Sequence, residues 1–151
     1  MIRIPRFPSF VTLVAITIAP VLAGAAPSGL KAEGAWVRWL PNGLPAAGYL
    51  ELVNDSDADL SLTGASSPDY MMVHLHESYV NNDGTSGMRM IAKVVVPAHG
   101  TVRLSPGGYH LMLMKARHAI EVGDTVAIVL KMDRAGELEV KAPVKPANYK
   151  P

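Results

Sequence analysis

All five histidines of this chain lie between residues 74 and 118, and six of its eight methionines lie between residues 71 and 114. Thioether sulfur is a soft, neutral metal ligand and imidazole is a borderline one, so together they suit Cu(I) far better than Mg, Ca or Mn. The chain has no cysteine, and thioethers, unlike thiolates, cannot be oxidised to a disulfide in an oxidising compartment. The composition therefore favours a Cu(I) carrier that works outside the cytoplasm.

Most of these residues fall in two segments, MMVHLHES at 71–78 and YHLMLM at 109–114. Both have the pattern of a β-strand, in which successive side chains point to opposite faces. The residues expected on the shared faces are Met72, His74 and His76 in the first segment, and His110, Met112 and Met114 in the second. Met88 and Met90 share a face of a third segment, GMRMIAKV. Three segments would thus each present a short row of metal-binding side chains.

Each of these residues also has an ordinary structural interpretation. Methionine commonly fills gaps in a core, and a single histidine on a strand is commonly a surface or hydrogen-bonded residue. The repetition of both types on two strands favours a soft-metal site over packing alone. The pair His74 and His76 leaves a second metal alternative open, because His-x-His spacing also suits Zn(II) or Cu(II). His99 and His118 lie in turn-like sequence and are expected to be exposed.

Residues 1–25 have the character of a secretory signal peptide. Two arginines precede an apolar stretch, and AGA at 23–25 supplies a cleavage site of the A-x-A type. We therefore expect a periplasmic protein with one mature domain, 26–151. Its tail after about residue 145 is rich in Pro, Lys and Asn and is expected to be disordered. No stable membrane association is expected after cleavage, nor a lipid-modified anchor, because there is no cysteine to acylate.

Charge and motifs narrow the functional class. Without the two arginines of the signal, the 14 basic residues become 12 against 13 acidic residues, a net charge of about −1. This balance gives no indication of nucleic acid as a partner. His76-Glu77 is not continued as H-E-x-x-H, because residue 80 is Val, and the sequence contains no G-x-S-x-G motif and no cysteine nucleophile. We expect a binding protein rather than an enzyme.

The mature sequence consists of short alternating segments separated by turn residues. The candidate strands are AWVRWL, AGYLELVN, DLSLTGA, MMVHLHES, GMRMIAKVVVP, GTVRLS, YHLMLM, DTVAIVLKM and ELEVKAPV. Among the turns between them, SPGG at 105–108 suits a tight hairpin, with Pro presetting φ and Gly free to adopt positive φ. The pattern predicts an all-β sandwich or barrel.

The mature chain resembles, over nearly its whole length, the periplasmic copper chaperones known as PCu(A)C. The family motif consists of His, about ten residues, Met, twenty-one residues and His-x-Met. Here eleven residues separate His76 from Met88, and residues 89–109 are the twenty-one that precede His110-Leu111-Met112. The sequence PGGYHLM at this spacing is the most specific part of the resemblance.

The resemblance implies a cupredoxin-like Greek-key β-sandwich or barrel that binds one Cu(I) per chain; binding of Cu(II) as well stays open. The implied ligands are His76, Met88, His110 and Met112, with His74 and Met90 as accessory candidates. The resemblance also implies delivery of copper toward the Cu(A) centre of cytochrome c oxidase subunit II, or exchange with another copper chaperone. Sequestration of copper for resistance would use the same site.

Two positions depart from the family pattern. The interval from His76 to Met88 is one residue longer, and we expect the flexible loop NNDGTSG at 81–87 to absorb the difference. Position 78 is Ser where the family often has Met, so one supplementary thioether is absent there. His74 and Met90 are the expected substitutes.

Overall fold

The structure is a computed structural model that describes residues 29–151. The expected signal peptide lies outside the described residues. The strands are β1 Leu30–Arg38, β2 Ala46–Asn54, β3 Leu60–Ser66, β4 Tyr70–Val80, β5 Ser86–Met90, β6 Val94–Val96, β7 Gly100–Leu104, β8 Tyr109–Ala116, β9 Thr125–Met132 and β10 Gly136–Lys145. Within the described range, no helix has the length and apolar character needed to cross a membrane.

The strands form one hydrogen-bonded sheet that folds around a shared core. Its order is β5-β4-β8-β2-β1-β10-β9-β3-β6, and β7 pairs with β2 beyond the end of β8. The parallel pair β1–β10, registered at Val37 and Val144, joins the half that contains β4 and β8 to the half that contains β9 and β3. The predicted all-β class is confirmed, and the arrangement is consistent with a Greek-key sandwich.

Alternation along β4 and β8 places one face of each strand in the core. Leu111 and Leu113 of β8 have no exposed surface, and Val73 and Leu75 of β4 are buried beside them. Full burial of such a side chain stabilises the fold by about 1.5–3 kcal/mol. These apolar residues fix the two strands, and the histidines and methionines between them in sequence point outward.

The segment GMRMIAKVVVP, predicted as one strand, is divided into two. β5 pairs with β4, whereas β6 pairs with β3 in the other half of the sheet. Between them, the Ile91 N–H donates to the Leu75 carbonyl at 3.0 Å, and the chain then passes from one half to the other. The prediction of one strand was wrong because the apolar run that follows the methionines serves the core, where Val94 and Val96 are buried.

The tail after residue 145, predicted to be disordered, packs on the sheet. The Tyr149 ring lies edge-on to Trp36 with 5.0 Å between the ring centroids. The Tyr149 N–H donates to the Pro146 carbonyl at 3.0 Å, and Lys145 Nζ lies 5.3 Å from the Tyr149 ring centroid. These contacts give the tail an aromatic anchor on the sheet, which its composition alone does not indicate.

Candidate metal centre

The register of β4 with its two neighbours brings the predicted ligands onto one outward face of the sheet. The cross-strand pairs are His76 with His110 and Met90, His74 with Met112, Ser78 with Met88, and Met72 with Met114. Residues directly opposite each other have Cβ atoms about 4.5–5.5 Å apart. We call this surface of β5, β4 and β8 the metal face. Every predicted ligand lies on it, and Met90, an accessory candidate, lies nearer to His76 in register than Met88 does.

His110 is held in one tautomer at the inner side of this face. Its Nδ1 lies 3.1 Å from the Gly108 carbonyl, which can only accept a hydrogen bond, so Nδ1 carries the proton. Nε2 is then left with a free lone pair, the form in which imidazole binds a metal. His110 is only 4 % exposed, and the Tyr49 ring packs beside it with 6.5 Å between the centroids. The ligand is thus oriented before any ion arrives.

His76 faces His110 and has an unsatisfied nitrogen. Its Nδ1 is buried and has no hydrogen-bond partner among residues 29–151. Burial, together with the nearby His110 and His74, holds the pKa of His76 below its usual 6.5, so the neutral ligand form is favoured at neutral pH. The His76 and His110 ring centroids are 5.8 Å apart at an interplanar angle of 47°. Because metal–nitrogen bonds are about 2.0–2.1 Å long, both rings can direct a nitrogen at one ion.

The thioethers around the histidine pair differ in exposure. Met112 is half-buried, whereas Met88 and Met90 on the edge strand β5 are 57 % and 66 % exposed. Methionine has three flexible side-chain bonds, which allows sulfurs one row apart to reach the same ion. The candidate ligands thus range from the buried, oriented imidazole of His110 to the exposed, flexible thioethers of Met88 and Met90. Its neutral nitrogen and sulfur atoms fit Cu(I).

The alternative His74–His76 site has little support in the geometry. The two rings are stacked 6.3 Å apart with only 12° between their planes. Across the part of the chain that the structure describes, no group of three or more His, Cys, Asp or Glu side chains gathers as a metal cage. The structure does not assemble the hard or borderline site that Zn(II) would require.

Charged residues of the β4–β5 hairpin lie on the face away from the metal ligands. Arg89 Nη2 lies 2.6 Å from Glu77 Oε2, and the Arg89 guanidinium sits 5.7 Å from the Tyr79 ring centroid. A Cβ at Gly87 would come within 2.6 Å of the Tyr79 ring, so glycine is needed for this packing. Alternation therefore separates an ion pair that joins the strands from the neutral side chains that can bind a soft ion.

The loop NNDGTSG, expected to be flexible, is a turn closed by hydrogen bonds. The Asn81 N–H donates to the Thr85 carbonyl at 2.8 Å, and Asp83 Oδ1 accepts from the Thr85 N–H at 3.0 Å and from its hydroxyl at 2.7 Å. These bonds lower the pKa of Asp83. The turn gives β5 a defined register on β4, which is what places Met90 opposite His76.

The two remaining histidines lie elsewhere and are exposed, as predicted. His99 Nε2 is 2.8 Å from Asp57, and His118 Nε2 is 3.0 Å from Asp69. Neither shares a cross-strand pair with the metal face. They serve as surface ion-pair partners when protonated.

Two groups at the site were not predicted from the sequence. The Gly108 carbonyl accepts from both His110 Nδ1 and the Ser78 N–H, the latter at 3.1 Å. Tyr49, only 5 % exposed, covers the other side of His110. The SPGG turn, which ends two residues before His110, was the available signal for Gly108, whereas Tyr49 depends on a register that strand alternation does not give.

A model of a known protein family matches most of this chain. The family model described as "LpqE-like: Putative lipoprotein LpqE-like" matches residues 30–144. A protein of Leifsonia xyli subsp. xyli (strain CTCB07), named "Putative lipoprotein Lxx21020", is 28 % identical over 122 residues, which are 81 % of this chain and 73 % of that protein.

Solved structures with the same fold include copper-binding domains. The Cu(I) form of DR1885 from Deinococcus radiodurans is 35 % identical, with a TM-score of 0.63 and coverage of 85 % of each chain. The copper-bound PCuAC domain from PmoF2 is 25 % identical, with a TM-score of 0.66 and coverage of 80 % of this chain and 96 % of that one. The present chain therefore has a PCuAC-type fold.

Proposed function

This chain belongs to the LpqE-like family and has a PCuAC-type fold, and on that basis we propose that it is a Cu(I)-binding metallochaperone, not an enzyme. The observation that carries the proposal is the facing pair His76 and His110, with Met112 and Met90 in adjacent positions on the same outward face. This site would hold one Cu(I) as its cargo. His76, Met88, His110 and Met112 are the proposed ligands, with Met90 as an accessory ligand opposite His76.

The graded exposure of the ligands supports transfer by stepwise exchange. An incoming partner would meet Met88 and Met90 first, because they lie exposed on the edge strand. Its own ligands could replace these thioethers while His110 still holds the ion from below. Cu(I) is well served by soft, neutral donors, and such donors release their cargo more readily than thiolates would. Copper could thus move between proteins without dissociating into water.

We propose export to the periplasm as the location, in keeping with relatives described as lipoproteins of the LpqE-like type. The proposed recipient is the Cu(A) centre of cytochrome c oxidase subunit II or another copper chaperone. Sequestration of copper for resistance would use the same ligands and differs only in whether the ion is passed on. Copper-bound structures of DR1885 and PmoF2 are the supporting comparisons for the cargo itself.

Competition for Cu(I) against a coloured chelator, under anaerobic conditions, tests the binding step. We expect the Met112→Leu variant to bind Cu(I) at least about tenfold more weakly than the wild-type protein, because leucine keeps the volume and removes the sulfur. Met132→Leu is the matched control, since Met132 is 7 % exposed and belongs to the core. Equal affinities in the wild-type protein and both variants would contradict the proposal.

A transfer experiment separates delivery from sequestration. The Cu(I)-loaded protein is mixed with a soluble, metal-free domain of oxidase subunit II, and copper in each protein is measured after separation. If the protein delivers copper directly, Cu(I) should reach the oxidase domain at the same rate with and without a chelator in solution. The chelator is chosen to be too weak to remove Cu(I) from the loaded protein. Retention of the copper by this chain would favour sequestration.

A further inference from the structure

A second pair of methionines faces outward on the same two strands, beyond the proposed ligands. Met72 of β4 lies directly opposite Met114 of β8, and both are half-buried. Residues i and i+2 of a strand are about 6.4–6.8 Å apart, so this pair lies about 13 Å from the row of His76 and His110. That distance is too long for the two rows to share one ion.

The row between them contains His74, which is a neighbour of both Met72 and Met114. His74 lies two residues from Met72 on β4 and diagonally across from Met114 on β8. Opposite Cβ atoms are about 4.5–5.5 Å apart, and diagonal ones about 7–8 Å. Two thioethers with three flexible bonds each can therefore meet the His74 imidazole at one point. His74 itself lies opposite Met112, one row away from the facing pair His76 and His110.

Core packing does not account for these methionines. The inward positions of the same strands are filled by Val73, Leu75 and Leu113, all of them buried. Met132 shows the packing use of methionine in this fold, since it is 7 % exposed and lies in the core. Met72 and Met114 instead extend the metal face by one row, with neutral soft donors in place of the polar residues expected on an outward face.

We propose that Met72, His74 and Met114 form a second Cu(I) site, so that one chain holds two ions along the metal face. This inference rests on the proposed function for the identity of the metal and adds a site and a stoichiometry to it. Two thioethers and one imidazole form a low-coordinate site that suits Cu(I). It has fewer donors than the primary site, so it fills second and empties first.

Anaerobic titration of Cu(I) into protein labelled with ¹³C at the methionine methyl groups tests the proposal. The first equivalent should shift the Met112 methyl signal, and the second should shift those of Met72 and Met114. The double variant Met72→Leu/Met114→Leu should bind one equivalent fewer than the wild-type protein. Met71→Leu is the matched control, because Met71 is adjacent in sequence but 57 % exposed and not part of the paired row.

The outcomes distinguish the second site from the proposed function. Binding of a single equivalent by the wild-type protein, or a second equivalent that persists in the double variant, would overturn the second site and leave the primary site intact. Binding of no Cu(I) at all would instead overturn the proposed function. Loss of the second equivalent in both the double variant and Met71→Leu would also count against the assignment, because it would indicate a general effect on the strand.

Discussion

The outward face of the sheet has two halves that use the same backbone in different ways. On β5, β4 and β8 it carries the methionines and histidines of the metal face. On β2 and β1 it carries an aromatic cluster, Tyr49 and Trp36 with 4.6 Å between their ring centroids, covered by Tyr149 and Arg38. His110 lies at the boundary, between His76 on one side and Tyr49 on the other.

The contrast lies in what covers each half. Trp36 and Tyr49 are 6 % and 5 % exposed, because the tail and the Arg38 guanidinium close over them. The metal face instead ends at an edge strand whose methionines are exposed. One half therefore contributes apolar burial to stability, and the other keeps neutral donors accessible. One sheet can therefore carry a stabilising surface and a binding surface side by side, with the fixed ligand His110 between them.

The largest expected effect comes from breaking the aromatic half. Trp36→Ala removes the ring that contacts Tyr49, Tyr149 and Arg38, and we expect the free energy of unfolding to fall by about 3–5 kcal/mol. Cu(I) affinity of the folded protein should change much less than stability does, because Trp36 is linked to His110 only through the Tyr49 ring that lies between them. Urea unfolding and chelator competition measure the two quantities. A large loss of affinity in the folded protein would show that the halves are coupled.

At His110, which lies at the boundary of the two halves, we expect a loss of Cu(I) affinity rather than of stability. His110→Gln should lower Cu(I) affinity at least about a hundredfold, since even the loss of a group that merely orients a ligand costs 10–100-fold. His99→Gln is the control, because His99 is an exposed histidine paired with Asp57. Chelator competition on both variants gives the comparison. Equal affinity in the two variants would remove His110 from the site.

A smaller effect is expected where the tail covers the aromatic cluster. Tyr149→Ala removes the edge-on contact with Trp36, and aromatic pairs of this kind contribute about 0.5–1.5 kcal/mol. Tyr149→Phe keeps the ring and should retain most of that free energy of unfolding. Cu(I) affinity should not change in either variant. If the Tyr149→Ala and Tyr149→Phe variants have the same free energy of unfolding, the tail does not cover the cluster in solution.

The smallest effects are expected from pH, and they have opposite signs at two histidines. The pKa of His76 is lowered by burial and by His110 and His74, so the unfolded chain binds a proton first and stability falls as the pH drops below about 6.5. The pKa of His118 is raised by its hydrogen bond to the next backbone carbonyl and by Asp69. Its stabilisation is complete below about 6.5 and is lost as the pH rises through the raised value.

Urea unfolding of the metal-free protein between pH 5 and 8 checks both signs. His76→Gln should make the stability less sensitive to acidification, and His118→Gln should remove the part lost at higher pH. A slope unchanged by His76→Gln would mean that the imidazole is as well solvated in the folded protein as in the unfolded one.

Strand alternation was sufficient to predict the faces of β4 and β8. It placed Leu111 and Leu113 inward and His110 and Met112 outward, as the structure has them. The tight turn at SPGG was also predicted correctly, since the Gly108 N–H donates to the Ser105 carbonyl at 3.0 Å and Gly107 has φ of 85°. These features are local, and local sequence determines them. The hairpin expected at this turn was wrong, because β7 and β8 each pair with a different part of β2.

Features that depend on pairing between strands were not available from the sequence. Alternation cannot tell that Met90 rather than Met88 lies opposite His76, because a shift of two residues leaves every face unchanged. It also could not indicate that His110 is buried, since this depends on Tyr49 of a neighbouring strand. The start of β1 at Leu30, ahead of the predicted AWVRWL, likewise follows from its pairing with Asn54.

X-ray absorption of the protein loaded with one equivalent of Cu(I) tests the central claim most directly, because it reports which atoms surround the metal. The account predicts both sulfur and nitrogen neighbours, with one sulfur fewer in the Met112→Leu variant. A first shell of nitrogen and oxygen alone, unchanged in that variant, would contradict it and would mean that the metal face does not hold copper through its methionines.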